Sequence, residues 1–283
     1  MLSRCFTIQS SGIPVTMGWR QCSSRRTIFH SYKVSTKPRE VQSSNFTEPF
    51  MNRVSSAVQP IVSNSTFEAV RLFMSIYESL NIPIISTTRT FKFYREALFD
   101  GLDESVLSRQ LGGKVLVDIG CGLTPYSSDS MFQWCRRNEI DFYAVDPKLT
   151  QGFKLGLFDS FKSIASGAPA ALDQNIGGMD KAIGSYSNNL DFGDNSVDII
   201  VSCWLVFSWL RSEKAILDSF VEFDRVLKPG GEIRLYPTPF WDNLKKSYPS
   251  INSLLEKYTV EQRFKMNIKL LPFYSTTLTK AFV

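Results

Sequence analysis

The sequence predicts an α/β protein: a mostly parallel sheet with helices on both faces, preceded by a helical extension. Three stretches carry that reading. Lys114–Ser127 joins an apolar run to a Gly-containing turn and a helix start. Phe142–Asp146 is a second short apolar run, closed by an acid. Ser212–Tyr236 reads as a helix, a Pro-Gly-Gly turn and another strand. Strands alternating with helical patterns mark parallel sheets, and apolar runs without polar alternation mark strands buried on both faces.

The chain has 283 residues and 43% hydrophobic content, enough for one large domain with attachments. No run of ~20 apolar residues is present, so no membrane-spanning helix is expected. The net charge of +5 is concentrated at one end. Residues 1–45 hold seven basic residues (Arg4, Arg20, Arg25, Arg26, Lys33, Lys37 and Arg39) against one acid, Glu40. The remainder, with 25 basic and 26 acidic residues, is close to neutral. It lacks the basic field of a nucleic-acid binder, so nucleic acid is not favoured as a partner. Segment 1–45 is Ser-rich, Arg-rich and acid-poor, the composition of a mitochondrial transit peptide. The alternatives are a basic tail, or an upstream extension ahead of initiation at Met17 or Met51. The five cysteines (Cys5, Cys22, Cys121, Cys135 and Cys203) are odd in number and form no Cys-x-x-Cys pair. That usage fits a reducing compartment and supplies no zinc pattern; no metal is expected.

Residues 46–64 are rich in Ser, Asn and Pro and read as linker, so 46–110 is expected to be linker plus helical extension. Phe67, Val70, Phe73, Met74, Tyr77 and Leu80 recur at helical spacing. Ser65 and Glu68 form a capping box at the start of that helix, and Asn81-Ile82-Pro83 ends it. Two further helices are expected over about Thr90–Phe99 and Glu104–Leu111. An aromatic here, such as Tyr94, is read as shielding the sheet. Gly112-Gly113 leads into the first strand, Val115-Leu116-Val117, which opens a domain over 111–283. After the Gly loop come a helix (Ser128–Asn138) and a strand (Phe142–Val145). Residues 148–180 form a long connection with a helical pattern at Phe153–Ala165. A strand opens at Val197, and Asp198 is read as structural. Ser212–Val226 is a clear amphipathic helix. Pro229-Gly230-Gly231 then sets a tight turn into the strand Glu232–Tyr236. Ser250–Lys257 reads as a short helix. Gln262–Leu270 and Thr276–Val283 read as strands able to pair antiparallel.

The loop Asp118-Ile119-Gly120-Cys121-Gly122-Leu123-Thr124-Pro125 is the first functional signal. Glycines let the backbone turn sharply and a ligand approach, and the helix start offers free N–H groups. A dinucleotide loop wants Gly-x-Gly-x-x-Gly and a pyrophosphate. Here Pro125 stands at the third Gly, and Asp118 repels an anion, which disfavours a nicotinamide oxidoreductase. An acid at this place suits a cationic or amine-bearing ligand. Asp146, closing the second strand, is placed to accept from a ribose diol, or alternatively to cap the next helix.

Asp-x-Gly-x-Gly after a strand resembles the first motif of class I S-adenosylmethionine-dependent methyltransferases. The resemblance extends over about 111–283. It takes in Leu190-Asp191-Phe192…Asp194-Asn195-Ser196-Val197-Asp198 before the fourth strand, and Leu227-Lys228-Pro229-Gly230-Gly231 before the fifth. It implies a Rossmann-like seven-stranded sheet with an antiparallel edge strand and S-adenosyl-L-methionine as cofactor. Asp118, Gly120, Cys121 and Gly122 are then expected around its methionine end and Asp146 on its ribose. The family's adenine-contacting acid falls on Tyr186, with Ser187 next; Tyr186 is expected to stack on adenine, or Ser187 and Asn188 to hydrogen-bond it. Thr124 replaces a Gly common in the family.

No catalytic residue follows from the pattern, because methyl transfer is mainly a matter of positioning. The only histidine, His30, lies in segment 1–45. Tyr126, Trp204, Ser208, Trp209 and Trp241 are candidates around the cleft, each with packing as the alternative. Ser202-Cys203-Trp204-Leu205 lacks the Asn/Asp-Pro-Pro-aromatic motif of adenine or amide nitrogen methylation, and the Pro-Cys and Thr-Cys motifs of cytosine-carbon enzymes are missing too. A small-molecule acceptor is therefore expected ahead of a protein acceptor. The competing reading is a non-catalytic methyltransferase-like assembly or binding factor.

Overall fold

The computed structural model describes residues 47–79, 89–151, 172–266 and 271–282. Segment 1–45 and the helical pattern at Phe153–Ala165 lie outside them. Among the described residues seven strands form one sheet: β1 Val115–Ile119, β2 Asp141–Val145, β3 Ala182–Ile183, β4 Val197–Cys203, β5 Leu227–Thr238, β6 Tyr258–Lys265 and β7 Phe273–Lys280. Their order is β3-β2-β1-β4-β5-β7-β6. Strands β1 to β5 pair parallel, and β7 runs antiparallel to both its neighbours. The resemblance implies a mostly parallel seven-stranded sheet with an antiparallel edge strand; the fold is such a sheet, with antiparallel pairing at the β7-β6 edge and the reversed strand, β7, one in from it. Leu116, Val117 and Ile119 of β1 and Ile200 and Val201 of β4 are wholly buried, as uninterrupted apolar runs require.

Seven α-helices lie among the described residues: α1 Thr47–Ser79, α2 Phe91–Leu98, α3 Glu104–Leu111, α4 Met131–Arg137, α5 Glu213–Val226, α6 Trp241–Ser247 and α7 Asn252–Leu255. None is long and apolar enough to cross a membrane. The expected helices before β1 are present, as is the helix between β1 and β2. Their caps are local: Thr90 accepts from Phe93 N–H, Ser130 from Gln133 N–H, and Ser212 from Ala215 N–H.

Several elements differ from expectation. The stretch 47–64 is helix, not linker, and Ser65 lies inside α1 rather than at its start. Tertiary contacts anchor the helix at the end of this stretch. Ser63 and Phe67 are buried, the Asn64 side-chain carbonyl accepts from Phe240 N–H at 3.3 Å, and Phe67 packs edge-on to Phe273 at 5.9 Å. These anchors lie across the expected start, and the helix runs through Pro60. Strand β5 begins directly at Leu227. The Pro-Gly-Gly turn is an outward irregularity within it, between the pairs Val197↔Leu227 and Ile199↔Glu232, and Gly230 takes φ +74°. Phe240-Trp241 leads into a helix, α6, that the sequence reading missed, and Ser250–Lys257 reduces to a 3₁₀ turn at Pro249–Ile251 plus α7. Strands β6 and β7 begin three to four residues earlier than expected.

Candidate functional site

The carboxyl ends of β1, β2, β3 and β4 share one edge of the sheet, and the Gly loop leaves β1 there. Gly120 and Gly122 adopt φ +77° and +60°, a region costly for any residue with a Cβ. A Cβ at Gly120 would also stand 2.8 Å from Leu205 Cβ, on the segment leaving β4. The loop is tied to the end of β2. Gly120 N–H donates to Val145 C=O at 2.8 Å, and Gly122 N–H donates to the Asp146 carboxylate at 3.0 Å. Lys148 N–H donates to the other Asp146 oxygen at 2.9 Å, so Asp146 also caps the short turn at Pro147–Gln151. Each carboxylate oxygen keeps a second lone pair. Asp146 is half-buried, at a strand end whose neighbour β3 binds its N–H through Ile183 C=O.

Asp118 lies within β1, and its side chain is buried. The Tyr94 hydroxyl donates to Oδ2 at 2.5 Å, while Oδ1 has no hydrogen-bond partner. Burial pushes the carboxyl up to about 7; the Tyr94 hydrogen bond and the positive charge of Arg89 pull it back, and Asp146 adds to the rise. Burial likewise holds the Tyr94 phenol well above its usual range. Thr124 is buried, and its hydroxyl too lacks a partner. Two buried oxygens beside one glycine loop thus lack a donor from within the chain, and an amine is a group that could supply one. Cys121, in the loop, is buried and its thiol is pushed well above its usual range, so it stays neutral.

Tyr94 is the site residue that sequence reasoning missed as a polar partner. It was expected to shield the sheet, and it is wholly buried. It also carries the hydrogen bond to Asp118, 24 residues away, which no local pattern signals. Its helix α2 is pinned by the Phe91 ring stacked on Trp134 at 4.4 Å and by Phe91 N–H donating to Asp129 C=O at 2.6 Å.

The other residues singled out in sequence fall as follows. Tyr186 follows β3 by three residues and is 67% exposed. The Ser187 hydroxyl is 2.8 Å from that of Ser219 on α5. No hydrogen bond joins either to the Gly loop. Asp198 binds Val115 N–H at 2.8 Å and Lys228 Nζ at 2.7 Å, a structural post across three strands. On the exit from β4, Trp204 and Phe207 both take φ +67°, a strained backbone for bulky residues. Trp204 packs edge-on to Tyr236 and Phe273. Tyr126 and Ser208 are buried, the latter with an unpartnered hydroxyl, while Trp209 and Trp241 are half-buried.

A family model described as a methyltransferase domain matches residues 164–235. Among curated proteins no sequence matches the chain. Similar solved structures include a SAM-dependent methyltransferase from Methanosarcina mazei, 15% identical over 64% of this chain and 99% of that one, with a TM-score of 0.36. One from Aquifex aeolicus is 16% identical over 67% and 93%, with a TM-score of 0.35. The 1,6-didemethyltoxoflavin-N1-methyltransferase of Burkholderia thailandensis, solved with 1,6-didemethyltoxoflavin and S-adenosylhomocysteine, is 13% identical over 67% and 86%, with a TM-score of 0.37. By its matched domain and its strand order, this chain resembles the class I S-adenosylmethionine-dependent methyltransferases.

Proposed function

We propose that the chain is an S-adenosylmethionine-dependent methyltransferase acting on a small molecule, with a protein acceptor as the second choice. The observation that carries this is the Gly120–Gly122 loop bound through Gly122 N–H to Asp146, beside the buried, unpartnered Asp118 oxygen. Asp118, Gly120, Cys121 and Gly122 line the methionine end of the cofactor, Asp146 takes its ribose hydroxyls, and Tyr186 and Ser187 flank adenine. The bound cofactor supplies an electrophilic methyl group on a sulfonium. Asp118 accepts from the cationic amine, and Tyr94 holds that carboxylate in place. The glycines let the backbone lie against the ligand, and the buried surround excludes water. The residues at the mouth, with Trp204 and Leu205 at the exit of β4, position the acceptor.

Calorimetric titration of S-adenosylmethionine and S-adenosylhomocysteine into the full chain, beside Asp146→Ala, tests this. Binding is expected, weakened in the variant by ~1–3 kcal/mol for the unpaired ribose hydroxyls. A folded protein that takes up neither ligand moves the reading to a non-catalytic, methyltransferase-like assembly or binding factor. Two observations favour that alternative: the Leu205 side chain lies over Gly120, and Thr124 stands where the family has Gly. Residues 1–45 are proposed, on composition, to direct the protein to mitochondria. Their fusion to a fluorescent reporter is expected to colocalise with that organelle, and a diffuse cytosolic signal would end the idea.

A further inference from the structure

A cavity of about 300 Å³ opens between α1 and α6, beside Pro239 just beyond the carboxyl end of β5. Its walls include Phe67, Glu68, Arg71, Asn243, Lys246 and Tyr248. Two of these residues carry buried donors without partners, the Tyr248 hydroxyl and Arg71 Nε. Tyr248 is only 4% exposed. A guanidinium N–H can only donate. The phenol is held above its ordinary range by burial, with Arg71 lowering it and Glu68 and Glu213 raising it; it therefore stays protonated and able to donate. Leaving such donors unmet is costly, and an acceptor from outside the chain would satisfy both.

The charges point the same way. Arg71 and Lys246 face the cavity against one acid, Glu68. Glu68 meets Arg71 at 3.3 Å with its side chain 70% exposed, a pair that water weakens. Glu213, the other acid felt by Tyr248, is engaged by Ser250 N–H at 2.6 Å. Lys246 has no ion pair among the described residues. Phe67, buried and braced by Phe273, gives the cavity an apolar wall. The volume is at the lower end for small-molecule sites.

We propose that this cavity binds a small organic oxyanion, a carboxylate or phosphate ester on an apolar or aromatic body. The oxyanion is held by Arg71, Tyr248 and Lys246, and the body lies against Phe67. The proposal stands on these residues alone and does not depend on the methyl-transfer reading.

The test is calorimetric titration of benzoate and of phenyl phosphate into the full chain and into Arg71→Gln, Tyr248→Phe and Glu68→Gln. One of the two probes is expected to saturate a single site, and the tighter one identifies the oxyanion. Arg71→Gln and Tyr248→Phe should each weaken it about ten-fold or more, the scale for hydrogen bonds to a charged group. Glu68→Gln should tighten it a few-fold. Tyr248→Phe removes only an unpartnered oxygen, so its melting temperature should stay level or rise, which keeps that variant folded and informative. No saturable binding of either probe, or binding indifferent to both Arg71→Gln and Tyr248→Phe, overturns the proposal.

Discussion

Asp118 shows how one burial sets a measurable property. Its carboxyl titrates near 7 in the fold, against about 3.9 when free. A raised value means that its favourable contribution is complete below about pH 4, where both states are protonated, and is lost as pH climbs through 7. Asp118→Asn removes that titration. The variant should therefore gain stability relative to the parent between pH 4 and 8, by up to a few kcal/mol, in urea unfolding at stepped pH; a difference flat across that range would refute the burial account. Gly120→Ala meets two obstacles at once, a positive φ and the Leu205 side chain. It should cost roughly 1–2 kcal/mol from the backbone alone, read by thermal melting. The turn at Gly120 and Gly122 and the places of Asp118 and Asp146 beside it were legible in sequence because turn chemistry and acid placement are local. Tyr94 as partner to Asp118 and Leu205 over Gly120 were not, since each is brought in by packing of distant segments.

At the level of elements, Asp198 on β4 binds the start of β1 through Val115 N–H and the start of β5 through Lys228. One carboxylate thus holds three neighbouring strands at their amino ends. Asp198→Ala should lower stability by about 1–2 kcal/mol, after allowance for the exposure of Lys228, while leaving ligand titrations at the opposite edge unchanged. Loss of binding without loss of stability would contradict a structural role. Strands β1, β2 and β4 and helices α2, α3 and α5 were readable because apolar runs, caps and amphipathic spacing all agree. Helix α1 was not. Its first half carries the residues of a linker, and the helix is anchored at Asn64 and Phe67 by parts of the chain some 180 to 210 residues further on. Strands β6 and β7 kept their identity but slid by three to four residues, since alternation fixes a face more firmly than an end.

Across the whole molecule, α1 is joined to the sheet through Phe67, 2% exposed, against Phe273 on β7. Phe67→Ala should cost about 3 kcal/mol or more in chemical unfolding, because a large ring leaves a cavity there. A loss below 1 kcal/mol would mean that α1 is held elsewhere. The same contact bears on synthesis. Strand β7 follows β6 in the chain yet lies between β5 and β6. A nascent chain that has emerged only as far as β6 therefore holds two strands with no neighbour between them, and an early helix whose docking residue is still inside the ribosome. The first helix described and the last strand described complete each other's burial. Until that strand arrives, the edges of β5 and β6 stay open to other chains, so stalled or truncated products are the ones expected to need a chaperone or to aggregate.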